Sequence, residues 1–475
     1  MIGPENWPPI IVALATAIAW LVIGTGLLQI LFYLVQLGFA AVSLTERPPA
    51  SGASLLWRRY AEQAPPIAVL APAYNEQVTV VDSVTSLLAL QYPDFEVIVI
   101  NDGSTDSTLQ RLIEHFDLSP VERYHDLTVE HRPIRGLYAS ERLPRFLVID
   151  KYNGGKSDAL NAGINLARAP LFCSIDADSI LESDALLRAV RPFVDEPDKM
   201  VAVGGTIRLA NGCRIEAGQV TKVCLPRNFL ALVQIMEYLR AFLMARLALS
   251  RMQALTVISG AFGLFRRRLV LEVGGYSHGT VGEDMELVVK LHRHMRELDR
   301  PYRIEFIPEP VCWTEAPESL AVLGRQRARW QRGALETFFK HRDMLFNPRY
   351  GRIGFIGFGQ LLVADVFGPV IEGIGYLLVP MLWSVGLLAV DYLLAFLAIT
   401  FTFGIFVSVA TLILEEIELR RFPRASDLLA LTLVAVVENF GYRQLCNIWR
   451  LHGVWQFLRK QEGWGQMTRK GFQTA

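Results

Sequence analysis

The chain has 475 residues, and its 47 basic and 47 acidic side chains cancel, so no bulk field recruits nucleic acid. At 52% hydrophobic residues and a mean hydropathy of +0.29, values high for a soluble protein, membrane spans are the first expectation. Cys173, Cys213, Cys224, Cys312 and Cys446 show neither a CxxC pair nor metal-ligand spacing, so they read as small buried hydrophobes with reduced thiols.

From Asn6 to Thr45 no residue is charged. About 20 residues cross a bilayer core, so this stretch predicts one long, tilted transmembrane helix. A cleaved signal peptide would carry a basic stretch ahead of a shorter apolar run, and neither is present. Arg47, Arg58 and Arg59 come after the span and no Lys or Arg precedes it, so the positive-inside bias assigns the chain beyond residue 46 to the cytosol. Residues 1–46 are thus read as the N-terminal span and 47–64 as a linker.

Residues 65–345 change character. "PIAVLAPAYNE", "FEVIVINDGSTD", "RFLVIDKYNGGKSDALNAG" and "APLFCSIDADS" each run from an apolar, β-branched stretch into polar residues or glycine. Helical patterns fall between them at Val80–Leu90, Ser107–Phe116 and Ser157–Arg168. That alternation predicts an α/β domain on a mostly parallel sheet, whose ligands sit beyond the carboxyl ends of its strands.

The polar clusters lie at those strand ends. In "NDGSTDS" (101–107), Asp102 or Ser104 could simply cap a helix, or Asp102 could contact a base. In "NGGKSDALNAG" (153–163), a glycine turn, a helix start and Lys156 suit a phosphate, although the P-loop spacing is missing. Asp176 and Asp178 of "SIDADS" have the spacing of two carboxylates that share a hard divalent cation. Further on, "GED" (282–284) opens an amphipathic helix, "MELVVKLH". Its acids could merely complement the helix dipole, or Asp284 could act as a general base. "RQRARWQRG" (325–333) puts Gln326, Arg329 and Trp330 on a short helix, either lipid-facing or turned to a diphosphate and a sugar ring.

A second apolar zone, 346–448, carries membrane and interfacial helices. Gly373–Val390 and Tyr392–Leu414 read as a hairpin of spans, while Ile353–Ala364 lies in the interface or opens the first span. Leu428–Val437 leads past Glu438 into a basic tail, 449–475. Three full crossings here would put the tail's arginines outside, against the charge rule, so one segment must be re-entrant, interfacial or doubly crossing. Asp365, Glu372 and Glu438 are costly in such surroundings, and either line a polar path or pair with neighbours such as Arg443.

Tyr74-Asn75-Glu76, Asn101-Asp102-Gly103-Ser104, Asp176-Ala-Asp178, Gly282-Glu283-Asp284 and Gln326-Arg-Ala-Arg329-Trp330 stand in an order that resembles family 2 inverting glycosyltransferases. More narrowly, the chain is similar to the membrane-embedded processive synthases of cellulose, hyaluronan, chitin and poly-β-1,6-N-acetylglucosamine. "SGAFGLFRR" and "NGGKSDALNAG" lean to the last of these. The resemblance implies a GT-A-like fold and a donor UDP-sugar, in particular UDP-N-acetylglucosamine. Tyr74, Glu76 and Asp102 would meet the uridine, Lys156 the diphosphate, and Asp158 would shape the donor pocket. Asp176 and Asp178 would hold Mg²⁺ or Mn²⁺, and Gln326 and Arg329 would close over the diphosphate. Ser259, Gly260, Glu283 and Trp330 would receive the acceptor, and Asp284 would deprotonate it. The acceptor would be a growing polysaccharide or, in a non-processive rival, a lipid phosphate. The resemblance also implies a multi-pass protein of the inner (cytoplasmic) membrane, its catalytic domain cytosolic, with accessory subunits as possible partners. Two departures stand out: no DxSxxG motif for cyclic-di-GMP control is present, and the N-terminal span is single where relatives have two. A catalytically dead receptor and a transporter are the readings from other classes.

Overall fold

A computed structural model describes residues 8–46, 53–125, 127–176, 179–216, 218–419, 422 and 424–461. Twelve strands form the framework: β1 (Ile67–Ala73), β2 (Phe95–Asp102), β3 (Ser119–Pro120), β4 (Ile134–Ser140), β5 (Leu143–Lys151), β6 (Leu171–Ile175), β7 (Ile180–Leu181), β8 (Met200–Leu209), β9 (Arg214–Glu216), β10 (Gln219–Lys222), β11 (Phe262–Arg266) and β12 (Arg303–Thr314). Ten of them make one sheet in the order β3-β4-β5-β2-β1-β6-β11-β8-β12-β7, and β9 pairs only with β10.

The block β5-β2-β1-β6 is parallel throughout. Its strands are continuous apolar runs because helices cover both faces, as parallel sheets require. Their carboxyl ends bring residues 74–76, 102–107, 152–156 and 176 to one edge. The sheet as a whole is mixed with most of its strands sharing one direction: β8 and β12 also pair in parallel, while β11 runs antiparallel to both β6 and β8, and β4 antiparallel to β5. The four strands that announce themselves in the sequence form the unbroken parallel block.

The helices expected between strands are found at Val80–Leu88, Thr108–Phe116 and Lys156–Leu166. The linker is not merely a linker, since Ala53–Tyr60 is helical. The helix holding Gln326 and Arg329 is long, not short, running 21 residues from Leu320 to Lys340.

Among the described residues, three helical stretches are long and apolar enough to cross a membrane: Pro9–Glu46, Ile353–Ser384 and Leu393–Ile417. The first, at 38 residues, is about 57 Å long, well beyond the roughly 30 Å of a hydrocarbon core. Its excess packs on the soluble domain, where Ala40 and Leu44 are buried and Glu46 forms a two-pronged ion pair with Arg251 at 2.7 and 2.9 Å. Ala425–Val437 and Tyr442–Leu458 form a pair bent by 59°. The expected basic tail therefore begins as a helix, and its residues 462–475 lie outside the described residues.

Candidate active site

Strand ends and helix starts converge on one cavity of about 2080 Å³. Tyr74, Glu76, Asp102, Lys156, Asp176, Ser259, Gly260, Glu283, Asp284, Gln326, Arg329 and Trp330 all line it. Asp178 lies outside the described residues. Asp158 is the exception among the rest: it is buried beneath the glycine turn and does not reach the cavity wall.

On the wall built by the strand ends, β1 and β2 are laced together. Asn75 adopts a positive φ of 56° and its side chain accepts from the Thr105 N–H at 2.8 Å, while its own N–H donates to Ser104. The Glu76 N–H donates to Thr108 Oγ1 at 2.9 Å. This lacing leaves the Tyr74 ring half exposed at the cavity mouth.

Asp102 differs from the expectation in an informative way. Its Oδ1 accepts from Lys151 Nζ at 2.6 Å and from the Gly154 N–H at 3.0 Å, and its Oδ2 from the Gly155 N–H at 2.8 Å. The two glycine N–H groups that would suit a phosphate are thus directed at Asp102. Lys151 is fully buried and also ion-pairs with Asp158, whose oxygens accept from the Arg132 N–H. Asp102, Lys151 and Asp158 form one buried triad that fixes the turn on which Lys156 begins its helix. At Gly154 a side chain would collide with Asp158, and Gly155 holds φ at +88°, so both glycines are required by geometry.

Lys156 is the centre of the constellation. Its Nζ ion-pairs with Asp176, lies 3.7 Å from Glu283 Oε1 and donates to the Gly260 carbonyl at 3.4 Å. Burial alone would lower its pKa, but Asp176, Glu283 and Asp284 outweigh that and leave it raised. A Cβ on Gly260 would stand 2.6 Å from Nζ, so the backbone here must be bare for the ammonium to fit.

The opposite wall comes from the helix Glu283–Glu297. Asp284 Oδ2 accepts from the Gly260 N–H at 3.1 Å and its Oδ1 from the Met285 N–H at 2.8 Å, which aims the carboxylate across the cavity. Glu283 is buried, and its Oε2 has no hydrogen-bond partner. Burial pushes its pKa up to about 7, Lys156 opposing and Asp284 reinforcing the shift.

Gln326, Arg329, Trp330 and Gly333 share one face of their helix by the i, i+3, i+4, i+7 rule, and that face lines the cavity. Gln326 Oε1 is buried without a hydrogen-bond partner. The helix meets the GED segment backbone to backbone: a Cβ on Gly333 would lie 2.8 Å from Gly282 Cα. One turn on, fully buried Glu286 bonds Lys340 at 2.7 Å and His341 at 3.3 Å, pinning the same two helices.

Several functional neighbours were not legible. Lys151 looks like any strand-end lysine, and Arg246 lies in an unmarked apolar stretch. Arg246 Nη1 is buried without a partner at the cavity wall, and its guanidinium lies 3.9 Å over the Phe242 ring. Arg327, the second residue of the QRARW run, also stands at the cavity wall, but its charge is already matched. It ion-pairs with Glu237, which also accepts from the Tyr442 hydroxyl at 2.9 Å, and lies 4.5 Å over the Trp330 ring.

With the geometry in place, comparison with known proteins is decisive for the domain. Residues 68–274 match the sequence profile described as "Glycosyl transferase family 2". They form a family 2 glycosyl transferase domain. Over 287 residues the chain is 30% identical to a poly-beta-1,6-N-acetyl-D-glucosamine synthase of Staphylococcus epidermidis, covering 60% of this chain and 59% of that protein. Over 275 residues it is 30% identical to a protein of the same name from Staphylococcus aureus, covering 58% and 56%. The chain therefore spans somewhat over half the length of these relatives. Among solved structures, the mannosyltransferase PcManGT from Pyrobaculum calidifontis, in complex with GDP-Man and Mn²⁺, shares the fold with a TM-score of 0.57 at 17% identity, over 95% of this chain and 99% of that one. The transferase domain is GT-A-like, and the cavity sits where the ends of its parallel strands meet the GED and QRARW helices.

Proposed function

We propose that the protein is a membrane glycosyltransferase that adds sugar, with inversion, from UDP-N-acetylglucosamine to the end of a growing β-linked polysaccharide. The observation that carries the polymer reading is the extent of the cavity. The space lined by Asp176 and Asp284 continues without a break to Gln29 and Tyr33 of the first helix and to Glu372, Tyr376 and Phe401 of the apolar helices. A growing chain needs an exit beside the site where it is extended, and a single-sugar transferase does not.

The residues fit a divalent cation of the Mg²⁺ or Mn²⁺ kind. Asp176 is partly exposed at the wall and already carries a cation, the Lys156 ammonium, in the position of a stand-in. Asp176 with Asp178 would hold the metal, which when bound neutralises charge on the leaving diphosphate. The chain's own groups do the rest. Tyr74 and the Glu76 loop receive the uridine, on a wall fixed by Asp102 and Asp158. Lys156 and Arg329 take charge from the diphosphate, with Gln326 closing over it. Trp330 supports the acceptor sugar, with Ser259, Gly260 and Glu283 around its hydroxyls. Asp284, held by the Gly260 N–H, removes the proton from the attacking hydroxyl on the face opposite the leaving group.

A catalytic domain facing the cytosol of an inner-membrane protein agrees with the arginines that come after the first helix, and with the cytosolic supply of nucleotide-sugars. Accessory subunits are compatible with the exposed flanks of the apolar helices. The test is to incubate the detergent-solubilised full chain with a panel of UDP-sugars and Mg²⁺ or Mn²⁺. Long products from UDP-N-acetylglucosamine, cleaved by a β-1,6-specific hydrolase, are expected. A single sugar added to a lipid phosphate would replace this reading with the non-processive one.

A further inference from the structure

The ammonium of Lys156 lies where a carboxylate of the strand-end wall meets carboxylates of the GED helix. It contacts Asp176 at the end of β6, lies 3.7 Å from Glu283 on the GED helix and 3.4 Å from the Gly260 carbonyl, and has Asp284 as a further anionic neighbour. The fit is specific, because a Cβ on Gly260 would sit 2.6 Å from Nζ. Four groups that would otherwise repel one another or face the cavity unneutralised are thereby gathered on a single positive charge.

Opposite charge at contact distance competes for the same lone pairs. A divalent cation approaching Asp176 alone must displace the lysine and leave it among carboxylates with less compensation. A nucleotide diphosphate changes that balance, because it offers the ammonium new oxygens within reach of the same short helix start. We propose that Lys156 is an internal counter-ion that blocks the metal-ligating carboxylate in the donor-free enzyme and transfers to the diphosphate on loading, so that metal and nucleotide bind as strongly coupled ligands. Binding coupling of this kind is reciprocal: whatever factor the nucleotide adds to metal affinity, the metal adds to nucleotide affinity. The consequence is a site that does not fill with metal until a donor arrives. Glu283 loses its cation at that moment and becomes available to the acceptor. The inference rests on the reading of the cavity as a UDP-sugar site.

The experiment titrates Mn²⁺ into the solubilised full chain, following free Mn²⁺ by electron paramagnetic resonance, with and without saturating UDP. UDP affinity is measured in parallel, with and without Mn²⁺. In the native chain UDP is expected to raise Mn²⁺ affinity by about tenfold or more, within the usual range of coupling between sites. Lys156→Met is expected to bind Mn²⁺ alone more tightly than the native chain, and to lose most of the UDP effect. Lys156→Arg keeps a cation in place and is expected to retain weak Mn²⁺ binding without UDP, which separates charge from folding. The proposal is overturned if Lys156→Met binds Mn²⁺ alone no better than the native chain, or if its coupling to UDP is undiminished. If the native chain binds no UDP under any condition, the donor reading itself fails, and the proposal with it.

Discussion

The contact between Gly282 and Gly333 can be tested by adding one methyl group. In Gly333→Ala the new Cβ would lie 2.8 Å from Gly282 Cα and 2.9 Å from Gly282 N. Both neighbours are backbone, so no side-chain rotation relieves the clash, and the two segments must part by roughly 0.6 Å to reach ordinary contact at 3.4 Å. The far end of the helix pair is held by Glu286 on Lys340 and His341, so the helix pivots rather than slides. The displaced part carries Gln326, Arg329 and Trp330, while Asp284 stands two residues after Gly282. The functional groups of the two halves therefore move apart together. Overpacking of this kind costs about 1–3 kcal/mol, which a domain of this size survives. Misplacing reacting groups by about 1 Å costs on the order of 10²-fold in rate, so kcat is expected to fall by roughly 10- to 100-fold. The assay is incorporation of labelled sugar from UDP-N-acetylglucosamine by the solubilised enzyme, with thermal unfolding run on the same sample. A well-folded variant whose kcat stays within about twofold of native would refute the docking argument.

Other perturbations probe separate parts of the site. Asp284→Asn keeps the Gly260 hydrogen bond but cannot take a proton, so turnover should drop by about 10²- to 10⁴-fold. UDP binding, measured by titration calorimetry, should stay close to native, and a parallel loss of UDP affinity would contradict the base role. Lys151→Met strands Asp102 and Asp158 as buried carboxylates and should cost about 3–5 kcal/mol in chemical denaturation. A cost below about 1 kcal/mol would show that the backbone N–H groups suffice to hold the turn. Glu283, with its pKa raised from 4.5 to about 7, binds a proton in the folded chain that the unfolded chain has lost, so stability drains away as pH rises between those values. Glu283→Gln lacks this term: its stability relative to native should improve from pH 4.5 to about 7 and then level off, and a flat difference in melting temperature would count against the shift. Cysteines placed at 388 and 459 in a background without the five native ones should be labelled from opposite faces of the membrane, and labelling of both from one face would refute a C-terminal helix that returns to the transferase side.

The strand-end clusters were readable because parallel strands write themselves as apolar runs that stop at polar residues. Asp176 was found that way, and Asp284 and Gln326 from the GED and QRARW runs on helices; though separated by up to 150 positions, all three are brought by the fold to one cavity. What sequence could not show was how polar groups divide their partners. Asp102 and Asp158 look alike in the chain, but burial gives both to Lys151, and only Asp102 touches the cavity wall. Arg327 and Arg329 both stand at the cavity wall, and nothing in the sequence shows that Arg327 is matched there by Glu237. The antiparallel strand β11 was missed because its sheet neighbours, β6 and β8, lie far back in the chain, so no local hairpin fixes its direction. Of the intramembrane acids, Glu438 is fully buried on Arg240, Arg443 and Ser408, whereas Asp365 pairs with Arg450 at the cavity wall and Glu372 faces the same space. Pairing and path-lining thus both occur, at different residues.

The bent pair bears on both the charge rule and the helix count. Ala425–Val437 by itself has 13 residues, about 20 Å of helix, less than a core of roughly 30 Å. At Glu438–Gly441 the chain bends by 59°, with Gly441 at φ +92°, into Tyr442–Leu458. That second helix lies along Leu320–Lys340 of the transferase side: Gly453 approaches the Ala328 carbonyl, and the Trp449 ring covers Gly324. Arg450 completes the junction by bonding Gln331 at 2.8 Å and Asp365 at 3.1 Å. We propose that a segment too short to cross, followed by a helix docked on the domain it left, emerges on that domain's side. In that reading Ile353–Ser384 and Leu393–Ile417 would be the outward and return crossings, and Arg443, Arg450 and Arg459 would share a side with Arg58 and Arg59. The same bend puts Asn439, Arg443 and Asn447 on the wall of the cavity that begins at Asp176, and so makes the path polar.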